Sequence, residues 1–262
     1  MADFQSLQLE TDHGCATVWL NRPERHNAFH EGLIAELAQC FERLAADPAV
    51  RMIVLAGRGR SFCAGADLEW MQRQAAADYD TNIADARRLA MMLRTIAQSP
   101  KPTLARVHGA ALGGGLGLVC ACDIAIATTE ATFGTTEVRL GLTPSTISPY
   151  VLAAIGERAA RRYFLSGERF DAREALRIGL VHQLLEPEAL DAQLSTILDA
   201  LRQSGPQAQA HCKELMALLR GRDSNEPLVL EQTARSIADV RSGDEAREGI
   251  AAFLAKRKPN WS

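Results

Sequence analysis

The chain has 262 residues, 47% of them hydrophobic and 23% charged, with a formal net charge of −3. These figures describe a soluble globular protein with a sizeable core, as one large domain or a domain with a short appendage, and leave no basis for nucleic acid or a membrane surface as the main partner. No run of about eighteen apolar residues is present, and the first residues have neither the basic region nor the apolar stretch of a secretion signal, so the expected location is the cytoplasm.

In chain order, alternating or β-branched residues over 4–10 and 16–20, separated by Asp12, His13 and Gly14, predict a hairpin. Pro23 and Asn27 mark a turn, after which Leu33, Ile34, Leu37, Phe41 and Leu44 recur at helical spacing as far as Asp47 and Pro48. A strand over 52–56 leads into a small-residue turn, Ser61 to Asp67. A short helix over 67–72, a polar stretch over 75–80 read as mobile, and a long helix over 81–98 follow. On that helix Met91 and Met92 either pack in the core or line a pocket that accepts a flexible apolar ligand. A strand over 102–108 runs into a second small-residue turn, Gly109 to Gly117, then a short apolar helix over 116–122, a strand over 123–127 and a loop over 133–141 with strand-like ends.

Pro144 and Pro149 break the chain before helical pieces at 155–165 and 171–178, the second opened by Asp171 and Glu174 at capping spacing. From about residue 186 the pattern is helical throughout, over 190–202, 206–219, 226–240 and 242–256, with Ser242 and Glu245 as another capping pair. An α/β core over 1–185 and a helical region over 186–262 are expected; the helices, with little core of their own, must lie on the core or on a neighbour.

Two turns of small residues, each between a strand and a helix, leave bare backbone N–H groups at helix N-termini. Together they could aim two N–H groups at one oxygen, the arrangement of an oxyanion hole. The six cysteines lack a paired pattern and read as buried, reduced thiols, and the six histidines lack ligand spacing, so no metal site is expected; His108, beside the second turn, reads as a packed or hydrogen-bonded residue.

The sequence AGAD at Ala64 to Asp67, paired with ALGGG at Ala111 to Gly115, resembles the crotonase, or enoyl-CoA hydratase/isomerase, superfamily. The resemblance runs from NRPERHNA at Asn21 to Ala28 through to FLAKRK at Phe253 to Lys258. It implies an α/β fold, a spiral of ββα units with a C-terminal helical trimerisation region, and trimers or paired trimers. It also implies an acyl-CoA thioester as substrate, with coenzyme A part of that substrate and no separate cofactor. By the same resemblance the thioester oxygen is held by the N–H groups of Ala64 and Gly114. Arg25, Ala28, Ala66, Asp67 and Leu68 contact the CoA, as do Phe253 and Lys256 near its adenine and phosphate end, and Glu137 is the catalytic carboxylate.

The family's hydratases use two glutamates, and where the first would stand this chain has Gly117. One acid must then both orient water and deliver a proton. Two enzymatic readings follow. Stretches 66–71, 145–149 and 154–163 resemble the bacterial methylglutaconyl-CoA hydratase branch, whereas a single glutamate suits a 3-enoyl to 2-enoyl isomerase. A non-catalytic acyl-CoA-binding protein is a third reading, against which Glu137 argues. For the hydratase, the missing side chain at Gly117 predicts room for a branched or carboxylated acyl group, with Arg87, Arg139 or Arg161 as its cation and Thr135, Thr136 and Ser145 as hydroxyls that hold water.

Overall fold

The computed structural model describes residues 4–261; the first three residues of the expected core region lie outside these. Strands β1 (Leu7–Asp12) and β2 (Cys15–Leu20) pair antiparallel around His13 and Gly14, both at positive φ (44° and 76°), as a two-residue hairpin turn of matching twist requires. Helix α1 (Glu31–Ala46) is capped by His30, whose Nδ1 accepts from Gly32 N at 2.9 Å, leaving Nε2 to donate to Ser6 Oγ. Strand β3 (Met52–Gly57) is buried at every position, the signature of a central strand covered on both faces.

Next come α2 (Leu68–Ala76), α3 (Tyr79–Ala97), β4 (Thr103–Val107), β5 (Ala110–Leu112), α4 (Gly114–Ala121), β6 (Ile124–Thr128) and β7 (Thr132–Gly134). The chain continues through α5 (Ser148–Ser166), β8 (Arg169–Asp171), α6 (Ala172–Arg177), β9 (Gln183–Leu185), α7 (Leu190–Arg202), α8 (Pro206–Leu219), α9 (Pro227–Ser242) and α10 (Asp244–Leu254). One sheet has the order β1-β2-β3-β4-β6-β9 and a smaller one β5-β7-β8. Because β4 passes directly to β5 and β6 to β7, successive circuits of the chain lay a strand in each sheet, with a helix closing the circuit. This is the expected α/β spiral of ββα units. No helix among the described residues is long and apolar enough to cross a membrane.

The main core joins α1, α3, α4 and the sheet. On the other sheet face Cys15, Met52, Val54 and Leu104 form a second cluster, covered by Leu194, Ile197, Leu198 and Leu201 of α7. That helix therefore packs on the sheet. Helices α8 to α10 bury few side chains, chiefly Val229 and Ala252, and are tethered by polar contacts: Arg51 donates to the carbonyls of Ser204 (2.8 Å) and Trp261 (2.7 Å), and Lys213 Nζ pairs with Asp123 at 2.5 Å.

Several local expectations change. The stretch over 75–80 is helical except at Ala77 and Asp78, where Asp78 caps α3 by accepting from Thr81 N at 2.8 Å. Pro149 sits in the first turn of α5 and starts that helix, because its missing N–H is not needed there. Ser242 ends α9, and Glu245 caps α8 instead, accepting from Gln207 N (2.9 Å) and Ala208 N (2.8 Å). Asp171 does cap α6, accepting from Glu174 N. Five cysteines are buried or partly so, but Cys212 is exposed; burial holds the Cys40, Cys63 and Cys122 thiols up at about 12, so they behave as small hydrophobes. Met92 lies in the core while Met91 faces solvent.

The loop before α1 is built on Asn27, fully buried at φ 55°. Its Oδ1 accepts from Arg22 N (2.8 Å), and its Nδ2 donates to the carbonyls of Arg58 (2.9 Å) and Ser61 (2.8 Å). A short amide that tolerates left-handed backbone and satisfies three main-chain groups has no apolar substitute. Replacing Asn27 by Ala is expected to cost roughly 2–3 kcal/mol in urea unfolding, since those groups stay buried. A loss below about 0.5 kcal/mol, the scale of ordinary surface substitutions, would show that water replaces the amide there.

Candidate active site

The two small-residue turns meet backbone to backbone. Phe62 N donates to His108 O, Cys63 N to Ala110 O (both 2.9 Å), and Leu112 N returns a bond to Cys63 O at 3.0 Å. The approach demands glycine. A Cβ on Gly115 would lie 2.3 Å from Cys63 O, and one on Gly109 only 2.0 Å from Arg60 O. His108 is packed here, its Nε2 bonded to Gly59 O at 2.8 Å.

Phe29 organises the first turn. Its N–H donates to Gly65 O (2.7 Å) and its carbonyl accepts from Asp67 N (2.8 Å), a parallel rung in which Ala66 is the residue opposite. A residue in that register turns its own N–H away from the partner strand. Ala66 N–H accordingly has no hydrogen bond among the described residues, whereas Ala64 N–H donates to His26 O at 3.0 Å. Ala64 was the expected oxyanion donor; its N–H is already committed, and the free N–H belongs to Ala66. Gly114 opens α4, so its N–H has no partner inside the helix. The Phe29 ring leaves no space for a side chain there, since a Cβ on Gly114 would lie 2.6 Å from it.

Ala64, Ala66, Gly114 and Glu137 share one pocket of about 280 Å³ whose other walls come from Phe29, α2, α3 and the segment 140–147. Glu137 starts a short 3-10 turn, Glu137–Leu140, that ends at Gly141 with φ 72°. Its Oε1 lies against Gly113, at 3.1 Å from where a Cβ on that glycine would stand, and its Oε2 is buried with no hydrogen-bond partner among the described residues. Burial pushes the Glu137 carboxyl above its ordinary range, with its own backbone N–H pulling partly back. A carboxyl so held can take and return protons near neutral pH more readily than a solvated one.

The remaining expected residues fall elsewhere. Asp67 is buried and structural. It caps α2 by accepting from Glu69 N (3.0 Å) and pairs with Arg22 at 3.1 Å. Burial opposes its charge, but Arg22 and the helix N–H groups outweigh it and hold the carboxyl below its usual range. Ala28 is buried and lends its carbonyl to Arg22 (2.7 Å), Arg25 pairs with Glu69 on the surface (3.0 Å), and Leu68 is exposed. Phe253 and Lys256, at the end of α10, do not line this pocket. Of the hydroxyls, Thr136 is in its wall, joined by Thr143 and Thr146; Thr135 is buried with its hydroxyl on Tyr163 O, and Ser145 is exposed.

Gly117 does not leave room. A Cβ there would stand 2.3 Å from Ile147 Cγ2 and 3.8 Å from Leu93 Cδ2, so Ile147, buried at the head of α5, occupies the volume. The contact is tertiary, between residues thirty positions apart, and nothing in either local sequence signals it. The expected cation is also missing. Arg87, Arg139 and Arg161 are exposed, and no Arg, Lys or His lines the pocket among the described residues. Phe29, Trp70, Gln74, Asp85 and Ile147, which do line it, escaped the motif reading because each reaches the pocket by packing.

The fit of Ile147 over Gly117 is testable by a double-mutant cycle. Gly117→Ala is expected to cost about 1–3 kcal/mol by overpacking, and Ile147→Ala about 2–4 kcal/mol by cavity formation. The pair should be less costly than the sum by at least about 1 kcal/mol, because each change relieves the other. Additivity within about 0.5 kcal/mol would mean the two residues do not compete for this space.

Residues 10–262 match the enoyl-CoA hydratase/isomerase family. The chain is similar to the crystal structure of an enoyl-CoA hydratase from Shewanella pealeana, with a TM-score of 0.95 and 42% identity over 98% of this chain and 96% of that one. It is 35% identical over 248 residues to enoyl-CoA hydratase ACTT6 of Alternaria alternata, which spans 94% of this chain and 80% of that protein. It is also 31% identical over 260 residues to the crotonyl-CoA hydratase of Syntrophomonas wolfei, 98% of each chain. With fold, turns and length in agreement, the chain belongs to the enoyl-CoA hydratase/isomerase family of the crotonase superfamily.

Proposed function

We propose that this protein hydrates the double bond of a 2-enoyl-CoA thioester. The observation that carries the reading is a buried carboxylate, Glu137, with an unpartnered oxygen in the same apolar pocket as the free N–H groups of Ala66 and Gly114. In this reading the thioester oxygen accepts from Ala66 and Gly114. Negative charge builds on that oxygen when water adds to the β-carbon, and two fixed dipoles stabilise it at little reorganisation cost, each contributing about 3 kcal/mol. Glu137 takes the proton of the attacking water and returns one to the α-carbon, so a single acid serves both halves. The hydroxyls of Thr136, Thr143 and Thr146 are within the same wall and can help to hold the water.

A branched, carboxylated glutaconyl-type substrate loses its support, because Ile147 fills the volume beside Gly117 and no cation among the described residues lines the pocket. The substrate in this proposal has an acyl chain without a negative charge. The isomerase remains the second reading, favoured by the absence of a second acid beside Glu137: one carboxylate moving a proton between two carbons of an enolate needs no water. Incorporation of labelled solvent oxygen into product separates them. Hydration requires it, and 3-enoyl to 2-enoyl conversion without label would replace the hydratase by the isomerase.

We also propose that the chain forms homotrimers through its C-terminal helices, on which Leu228, Leu230, Ile237, Ile250, Phe253 and Leu254 are exposed. Phe253 and Lys256 would then serve a neighbour's CoA. Light scattering of the purified protein tests this.

Glu137→Gln is expected to lower turnover by at least about a hundredfold, since the amide keeps the shape but exchanges no proton. An unchanged rate would remove Glu137 from the mechanism. The same variant should be more stable than wild type at pH 7. A carboxyl whose folded pKa is raised binds its proton more tightly folded than unfolded, so wild-type stability falls as pH rises from the unfolded value through the folded one. Below the unfolded value both forms are neutral and the difference in Tm should vanish. A variant less stable at pH 7 would show that the carboxylate is held by favourable contacts.

A further inference from the structure

The pocket wall remote from the two turns is not uniformly apolar. On α2, Trp70, Met71 and Gln74 line it at increasing distance from Ala66, and on α3 Asp85, Ala86 and Leu89 line it. Leu93, one turn beyond Leu89, is the residue that faces Gly117, which puts Asp85 two turns, about 12 Å at 1.5 Å per residue, from the level where the family's first acid would stand. Asp85 is therefore no substitute for that acid. In the hydratase reading, with the thioester oxygen at Ala66 and Gly114, it belongs to the part of the cavity left for the acyl chain.

Its side chain is only 13% exposed. Arg88, on the next turn and half exposed, donates to Oδ1, while Oδ2 has no hydrogen-bond partner among the described residues. Gln74, half-buried, makes no side-chain hydrogen bond among the described residues, and the Trp70 indole N–H is buried with no partner. One wall thus carries a carboxylate that can only accept, an amide that can both donate and accept, and an indole N–H that can only donate, none fully satisfied. An alkyl chain filling this end would leave Asp85 Oδ2 and the Gln74 amide without partners, at a cost that sites of this kind turn into discrimination. A carboxylate there would meet Asp85 across low-dielectric surroundings. An ammonium group could donate to Asp85 and to the Gln74 amide oxygen, but it can accept from no donor. A hydroxyl can donate to Asp85 and accept from the Gln74 amide, and of the four it alone both donates and accepts.

We propose that the acyl end of this pocket is a hydroxyl subsite, and that the substrate is a 2-enoyl-CoA whose chain bears a hydroxyl group remote from the double bond. The proposal rests on the hydratase reading. Asp85 and Gln74 bind the substrate's hydroxyl and take no part in the proton transfers.

The test compares kcat/KM for hydration of 2-octenoyl-CoA and its ω-hydroxy, ω-amino and ω-carboxy forms, with crotonyl-CoA as a chain too short to reach the subsite. The ω-hydroxy substrate is expected to exceed the plain chain by about tenfold or more, with the ω-carboxy form the poorest. In Asp85→Leu, and separately in Gln74→Leu, the ratio of ω-hydroxy to plain substrate should fall to about one. Each ratio is taken on a single protein sample, so a reduced folded fraction cancels. Equal rates on the plain and ω-hydroxy chains, or a preference that survives both substitutions, overturns the subsite while hydration of crotonyl-CoA leaves the hydratase reading standing. No hydration of any thioester, crotonyl-CoA included, overturns both.

Discussion

The structure depends on one close approach, that of the turn over 61–67 to the turn over 109–117. Backbone bonds between Cys63 and its partners Ala110 and Leu112 bring the chains to a separation at which Gly109 and Gly115 cannot carry a Cβ. Everything at the site is referred to that contact. It fixes the entry to α2 and the entry to α4 side by side, and it puts the Phe29 ring where it pins Gly114. The main-chain groups left over are the useful ones: with Phe29 satisfying Gly65 O and Asp67 N, and His26 satisfying Ala64, the Ala66 N–H is what remains. Around this frame, Asn27 and the Arg22–Asp67 pair stiffen the loop that supplies Phe29.

A rigid frame of spent hydrogen bonds with two unspent N–H groups is the kind of electrostatic device whose cost is met during folding and not during reaction. Glu137 is the counterpart. Its burial opposes the charged form and so works against folding, and in the proposed reaction the same burial favours proton transfer. The two kinds of group, fixed donors and a destabilised carboxyl, have opposite effects on stability, so the protein's stability and its chemistry are separable at Glu137 and coupled at the glycines.

Much of this was legible in the sequence for a physical reason. Strands β2, β3, β4 and β6 announce themselves by apolar runs between breakers, and the two turns by small residues at strand ends, because close backbone approach leaves few residue types possible. Strands β5, β7 and β8 are three residues each, too short for any period, and only pairing with one another defines them. The free N–H lies at Ala66, two residues beyond the expected donor Ala64, because the register is set by Phe29, which lies outside the motif. The filling of the space at Gly117 by Ile147 could not be read at all: a missing side chain in sequence is a cavity only if nothing else packs there, and packing is a property of the fold. Glu245 capping α8, and not its own helix, is the same lesson on the surface.

The central claim is that the amides of Ala66 and Gly114, and not that of Ala64, receive the thioester oxygen. Backbone 15N–1H correlation spectra with and without acetoacetyl-CoA, whose acyl group can present an enolate oxygen, test it directly. The Ala66 and Gly114 amide protons should move strongly downfield on binding while Ala64, bonded to His26, stays in place. A shift at Ala64 with Ala66 unmoved, or no downfield shift at either Ala66 or Gly114 in the saturated complex, would contradict the account.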